Sequence, residues 1–229
     1  SGPTEVYEAA DGGYLSAFAD RPEGRRLVDG LGEQWELLGT AFKPYSCCGS
    51  LHAYVDAALE LRDTVPIGPN TRIRIGLPKV VEVQCGFDYE VGSVLSAQMN
   101  ARFCVATALR HGDALPPEFE PERLVDEETV ALQSRIEQIH DPALDELYPE
   151  FFCGWVEMGE NAMQRSFRRE PSGAASNPDK HPAMRRKFES LLSNRRPEAV
   201  SGLLDTVLDS GGLHQARLYQ HMAELCRPE

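Results

Sequence analysis

Nowhere does the chain hold an apolar run long enough to cross a bilayer, nor the short apolar core of a secretory signal, so nothing in it points to export or to a membrane. It is also short of positive charge: 23 Lys and Arg face 36 Asp and Glu, for a net charge of −13. Nucleic-acid affinity depends on neutralising phosphates, and anionic membranes repel acidic proteins, so neither is an expected partner. An anionic substrate would have to be held by local cations against the overall field. No Cys-x-x-Cys pair and no metal-type Cys/His spacing occurs. The glycine-bearing loop at 86–92 lacks the spacing and trailing Lys-Ser/Thr of a P-loop. No metal, nucleotide or other cofactor is therefore expected. Internal repeats and low-complexity tracts are missing as well. The six cysteines (Cys47, Cys48, Cys85, Cys104, Cys153 and Cys226) read as reduced thiols of a cytoplasmic protein.

What is present suits one large domain or two modest ones, since 229 residues with 41% apolar content can bury a real core. Residues 1–42 open without a clean start. Glycines at Gly2, Gly12, Gly13, Gly30 and Gly32 punctuate short pieces before an extended stretch at 35–42, which reads as a connector between bodies. Apolar residues at helical spacing predict a helix over 50–62 and another over 96–110 that stops at Gly112, with a third at 127–136. Alternation predicts strands at 71–77, 135–140, 155–159 and 163–169, and a short one at 80–85. After a turn-rich loop at 171–178, a helix starting near Pro182 and a second starting at Pro197 precede a break at Gly211 and Gly212 and a final helix carrying Leu213, Met222 and Leu225. The expected class is α+β in the middle, flanked by helical pieces whose apolar stripes need a cover. Between Arg165 and Arg196 lie nine basic residues against three acids. They form either a solvated helix face plus a charged strand, or a surface that docks onto an acidic partner.

The stretch from Lys43 to His52 concentrates chemistry: a lysine at the end of an extended segment, the Pro44-Tyr45 turn, the adjacent thiols Cys47 and Cys48, then an imidazole where the helix begins. Such junctions are where sites tend to be built. This stretch resembles the Lys-Pro-Tyr-Pro-x-Cys…His segment of the MmgE/PrpD superfamily, which includes 2-methylcitrate dehydratase, cis-aconitate decarboxylase and iminodisuccinate epimerase. Three further blocks are similar to that family in the same order: Gly2 to Tyr14, Ala97 to Ala106, and the closing run from Tyr148 through Gly173, Asn177, Pro178, Lys187 and Phe188.

The resemblance implies a large helical domain and a smaller α+β lid, with the active site in the cleft between them. By that reading 1–42 is the connector from the helical domain, 43–170 the lid, and 171–229 helices that pack on the helical domain or a partner. The first half of the helical domain, which in the family carries most of the acid/base groups, would come from elsewhere; the uncovered apolar stripes predict a homodimer or a sticky monomer.

Lys43 is the first candidate. It matches the family's cleft lysine, which would pair with a substrate carboxylate and stabilise the enolate-like charge that develops as a neighbouring proton leaves. His52, at the first turn of its helix, is either a cleft residue or a histidine satisfied by backbone and solvent. Cys48 stands where decarboxylase-like members place a histidine, and a thiol is a weak donor beside imidazole. Phe103 falls where the family's helix has a tyrosine, and a phenyl ring moves no proton. Arg102 replaces a proline there, and either binds a second carboxylate or faces solvent. The resemblance implies a cofactor-independent lyase (a dehydratase or decarboxylase) acting on a small polycarboxylate, and inactive without the helical half. The alternatives are a dicarboxylate epimerase of the same fold, or a non-catalytic module that completes a separate helical subunit.

Overall fold

The computed structural model describes residues 6, 7, 9, 13–21, 23–178, 180–192 and 197–208, which fall into two compact units, 1–40 and 41–229. The glycine breaks at Gly2 and Gly12, the break at Gly211–Gly212, the final helix, Arg195, Arg196 and Cys226 lie outside the described residues.

The described residues of the first unit bury almost nothing. It holds the short helix α1 (Tyr14–Phe18) and 3-10 turns at Gly24–Leu27 and Glu36–Gly39. Among its described residues only Gly13 is buried, while Phe18, Leu31, Trp35, Leu37 and Leu38 are exposed. The stretch at 35–42 is therefore not continuously extended. It has no partner strand, so its backbone satisfies itself in a 3-10 turn, and Lys43 is delivered by coil rather than by a strand.

In the second unit a 3-10 turn at Gly49–Leu51 leads into α2 (His52–Arg62), which is buried on most of its circumference. Then come β1 (Arg72–Leu77), α3 (Lys79–Cys85), α4 (Val94–Met99), α5 (Ala101–His111), α6 (Pro121–Leu124), α7 (Glu127–Ser134), β2 (Ile136–His140), α8 (Pro142–Asp145), β3 (Gly154–Gly159) and β4 (Gln164–Arg168). The helices α9 (Lys180–Leu191) and α10 (Pro197–Leu208) follow. The class is α+β, built on one mixed sheet of order β2-β1-β3-β4, with β1 and β2 parallel and the other pairings antiparallel.

Ile73, Ile75 and Leu77 project from one face of β1, level with Val156 and Met158 of β3, and α2 and α5 bury that face. The opposite face is partly polar: Arg74 bridges Glu137 and Glu157 at 3.1 Å each. Beside it the Trp155 ring lies flat across Gly76. A Cβ at Gly76 would sit 1.9 Å from that ring, so close approach of the indole requires glycine here. The indole N–H donates to Asp141 at 2.7 Å, and the Arg165 guanidinium stacks 3.9 Å above the ring.

Two further elements differ from the sequence expectation. Residues 80–85 form a helix, not a strand. Both edges of β1 are already taken by β2 and β3, and the segment buries Val81 and Cys85, four residues apart, while Val83 faces water. The helix expected over 96–110 is two helices broken at Asn100. This residue has extended dihedrals (φ −96°, ψ 119°), and its fully buried side chain caps α5 by accepting from the Phe103 amide at 2.9 Å. Its amide group donates to the Phe87 carbonyl at 2.6 Å. Gly112 closes α5 with φ +78°, the left-handed cap expected of a glycine there.

Candidate functional site

Residues 42–48 are a coil held in place along its length. The Phe42 amide donates to the Gly173 carbonyl (2.8 Å), that of Ser46 to Ala114 (2.9 Å), and that of Cys48 to Gln98 (2.8 Å). Gly173 is required by this approach: a Cβ there would lie 2.1 Å from the Phe42 carbonyl oxygen and 2.6 Å from the Pro44 ring. The buried Tyr45 ring extends the clamp. Its hydroxyl donates to one oxygen of Asp56 (2.5 Å) while the Ser172 amide donates to the other (2.6 Å), so one carboxylate on α2 fixes both the Pro44-Tyr45 turn and the 171–178 loop. Burial, then the Asp56 charge, pushes the Tyr45 phenol well above its ordinary value, so it stays a donor.

Over this coil lies a cleft of about 310 Å³, lined by Lys43, Tyr45, Ser46, Cys47, Cys48, Leu95, Gln98, Met99 and Lys187. Lys43 is exposed, and its ammonium makes no ion pair or hydrogen bond among the described residues. Lys187, on α9, donates to the carbonyls of Lys43 (2.7 Å) and Tyr45 (3.3 Å). An ammonium has three hydrogens, so one is left for the cleft. Burial, then the nearby Lys43 charge, lowers the Lys187 pKa from its ordinary value. Two cations thus converge in a chain that is otherwise strongly acidic.

Cys48, half-buried, forms part of the cleft wall. Its thiol is held far below the ordinary range, at about 5. The main cause is a hydrogen bond from the thiol of Cys85; a hydrogen bond from the Ser50 amide and the Lys43 charge add to it, and together they outweigh desolvation. Cys85, fully buried on α3, is correspondingly pushed up by that bond and by burial. A second pair of thiols lies deeper: the Cys104 thiol donates to the Ala97 carbonyl at 3.3 Å and is raised by burial, while its closeness lowers Cys47. Among the described residues no three His, Cys, Asp or Glu side chains are placed to share a metal ion.

The other sequence candidates lie around the cleft rather than in it. His52 is 2% exposed, its Nε2 3.3 Å from the Cys47 carbonyl oxygen and its ring edge-on to Tyr45 at 5.5 Å. It props the turn from beneath. Arg102 points to the 86–92 loop, where it pairs with Asp88 at 2.6 Å and reaches the Phe87 carbonyl. Phe103 is fully buried against Tyr89 and Phe119, with ring centroids 4.4 and 6.3 Å away. Sequence reasoning passed over Lys187, Gln98 and Cys85 as wall or support residues. For Lys187 a signal existed, since it falls in the closing block and in the basic region. A larger hollow of about 540 Å³ adjoins Asp56, but its cations are engaged: Arg168 pairs with Glu60 at 2.9 Å, and Arg169 stacks 3.9 Å over Phe151.

A family model described as MmgE/PrpD C-terminal domain matches residues 45–209, well over half of the chain, beginning two residues after Lys43. No curated protein matches the chain. Among the described residues no helix is long and apolar enough to cross a membrane.

Proposed function

Because the chain belongs to the MmgE/PrpD superfamily, as its C-terminal part, we propose that it forms the lid and C-terminal portion of a cofactor-independent lyase acting on a small polycarboxylate. The observation that carries this reading is the pair of lysines in one cleft. The Lys43 ammonium makes no ion pair or hydrogen bond among the described residues, and Lys187 has a hydrogen to spare. Two ammonium groups suit two carboxylates. They also favour the charge that builds on a carboxylate when the neighbouring carbon loses its proton, before water or carbon dioxide departs. The proton-moving groups would come from a helical portion facing the cleft. His52 and Tyr45 are buried and engaged, and Phe103 has no proton to give, so this chain contributes binding and electrostatic stabilisation.

The test is reconstitution with a helical MmgE/PrpD half, by fusion or in trans, followed by assay of methylcitrate-like acids for hydration and dehydration. Turnover is expected, and Lys43→Ala should lower kcat/KM by roughly 10²-fold, on the scale of losing one charge-stabilising donor. Neither turnover nor binding of any polycarboxylate would overturn the reading. A second reading, a non-catalytic module that completes a separate helical subunit, is favoured by Phe103 standing where the family has a tyrosine. Tight association with the helical half and no turnover, even after Phe103→Tyr, would select it.

A further inference from the structure

We propose that α9, with α10 packed against it, is a gate on the cleft: a helical pair latched by polar contacts, which opens locally while the rest of the fold stays intact. The inference concerns the wall of the cleft, whatever the cleft binds, and so does not rest on the lyase reading.

The main core runs from Tyr45 to Met158, and among the described residues α9 and α10 contribute nothing to it. No residue of α9 is buried; Met184 and Phe188 are half-buried and Leu191 is exposed. The helix packs chiefly on α10, to which the Arg185–Asp205 pair ties it at 2.8 Å, and it meets the remainder of the fold at the 3-10 turn Pro116–Phe119. What holds it down over the cleft is polar. Lys187 sits on the Lys43 and Tyr45 carbonyls, while the neighbouring Arg186 pairs with Asp113 at 3.4 Å and lies 5.7 Å over the Tyr45 ring. The Arg186 side chain is half-exposed, and an ion pair of that kind contributes little once water and salt compete for it. Water in the open cleft can likewise replace the Lys187 ammonium on both carbonyls.

The loop that precedes α9 is held differently. The Ser172 amide is bonded to the Asp56 carboxylate, the Gly173 carbonyl to Phe42, and the Asn177 carboxamide to the Ser172 carbonyl at 2.8 Å. Lys180, at the base of α9, donates back to the Ala175 carbonyl at 2.7 Å. Opening therefore pivots at the foot of α9 and leaves the loop in place. It also leaves Lys43 in place, because the coil that carries it hangs on the Ala114 and Gln98 carbonyls through Ser46 and Cys48. With α9 down the cleft holds two cations; with α9 away it is wider and holds one. Few buried apolar contacts and solvent-reached anchors are the marks of a segment that opens at far less than the cost of global unfolding.

Hydrogen exchange read by peptide mass tests this on the intact chain near neutral pH. A twelve-residue helix is marginal in water once detached, so each opening exposes its amides. After correction for intrinsic rates, peptides within 184–191 should exchange roughly 10²-fold faster than those of α5, whose amides open only with the core. The coil at 42–48 should stay protected with α5. Lys187→Met keeps the stem and removes the ammonium, so it should speed exchange within 184–191 by a further factor of roughly ten and leave α5 and the coil unchanged. Exchange in α9 as slow as in α5, a coil that exchanges in step with α9, or no response to Lys187→Met would each overturn the inference. So would a Lys187→Met chain that fails to fold, since a gate is not needed for the core to form.

Discussion

At the scale of single residues, the depressed Cys48 thiol links the site to stability. Its folded value is about 5, against about 8.5 for an unfolded thiol. Between those values the unfolded chain binds more protons, so stability rises with pH, is fully present above about 8.5, and is lost as pH falls through about 5. Urea unfolding of the wild type and Cys48→Ser across that window should show a difference that grows with pH in favour of the wild type, then levels off. A difference independent of pH would mean that the thiol is not ionised in the folded protein. The candidates differed in how legible they were. Lys43 could be found because Lys-Pro-Tyr is a local pattern. Lys187 meets it from 144 positions away, and helical periodicity says nothing of which side chain returns to a distant coil. The role of Cys85 was hidden for another reason: read as a strand, 80–85 puts Val81, Val83 and Cys85 on one face, whereas the helix buries Val81 and Cys85 and turns Val83 to water.

At the scale of elements, strands with a wet or half-wet face were readable from alternation. β1, β2, β3 and β4 fall within a residue or two of where the pattern puts them. The errors came where one side chain overrides a continuous apolar stripe. Asn100 divides what looks like one helix because its carboxamide does two things at once, capping α5 and satisfying the Phe87 carbonyl. That fixes the angle at which α4 presents Leu95, Gln98 and Met99 to the cleft. Asn100→Ala should therefore cost about 1 kcal/mol for the cap and about 1 kcal/mol more for the lost hydrogen bond to the Phe87 carbonyl, which keeps the Arg102 guanidinium at 3.3 Å as a second donor, read as a lower denaturation midpoint. Asn100→Asp keeps the acceptor and loses the donor, so it should recover only the cap. If both variants unfolded at the wild-type midpoint, α4 would have to be positioned by packing alone.

At the scale of the whole molecule, the two units differ in what holds them. Among the described residues the buried apolar side chains all belong to 41–229, where the sheet face, α2 and α5 share one continuous core. The described part of 1–40 is stabilised by local turns and a few ring contacts, and it presents Phe18, Leu31, Trp35, Leu37 and Leu38 to solvent. A cluster of exposed apolar side chains of this kind is a surface prone to association. A chain cut to residues 41–229 should then keep the thermal midpoint of the full chain to within roughly 2 °C, less than the shift of a 1 kcal/mol loss in a domain of this size. It should also bind markedly less of a hydrophobic dye. A fall of roughly 10 °C or more would mean that 1–40 contributes to the main core after all. Unchanged dye binding would place the sticky surface on 41–229, where the exposed Val83, Val91 and Leu95 are the next apolar side chains to replace.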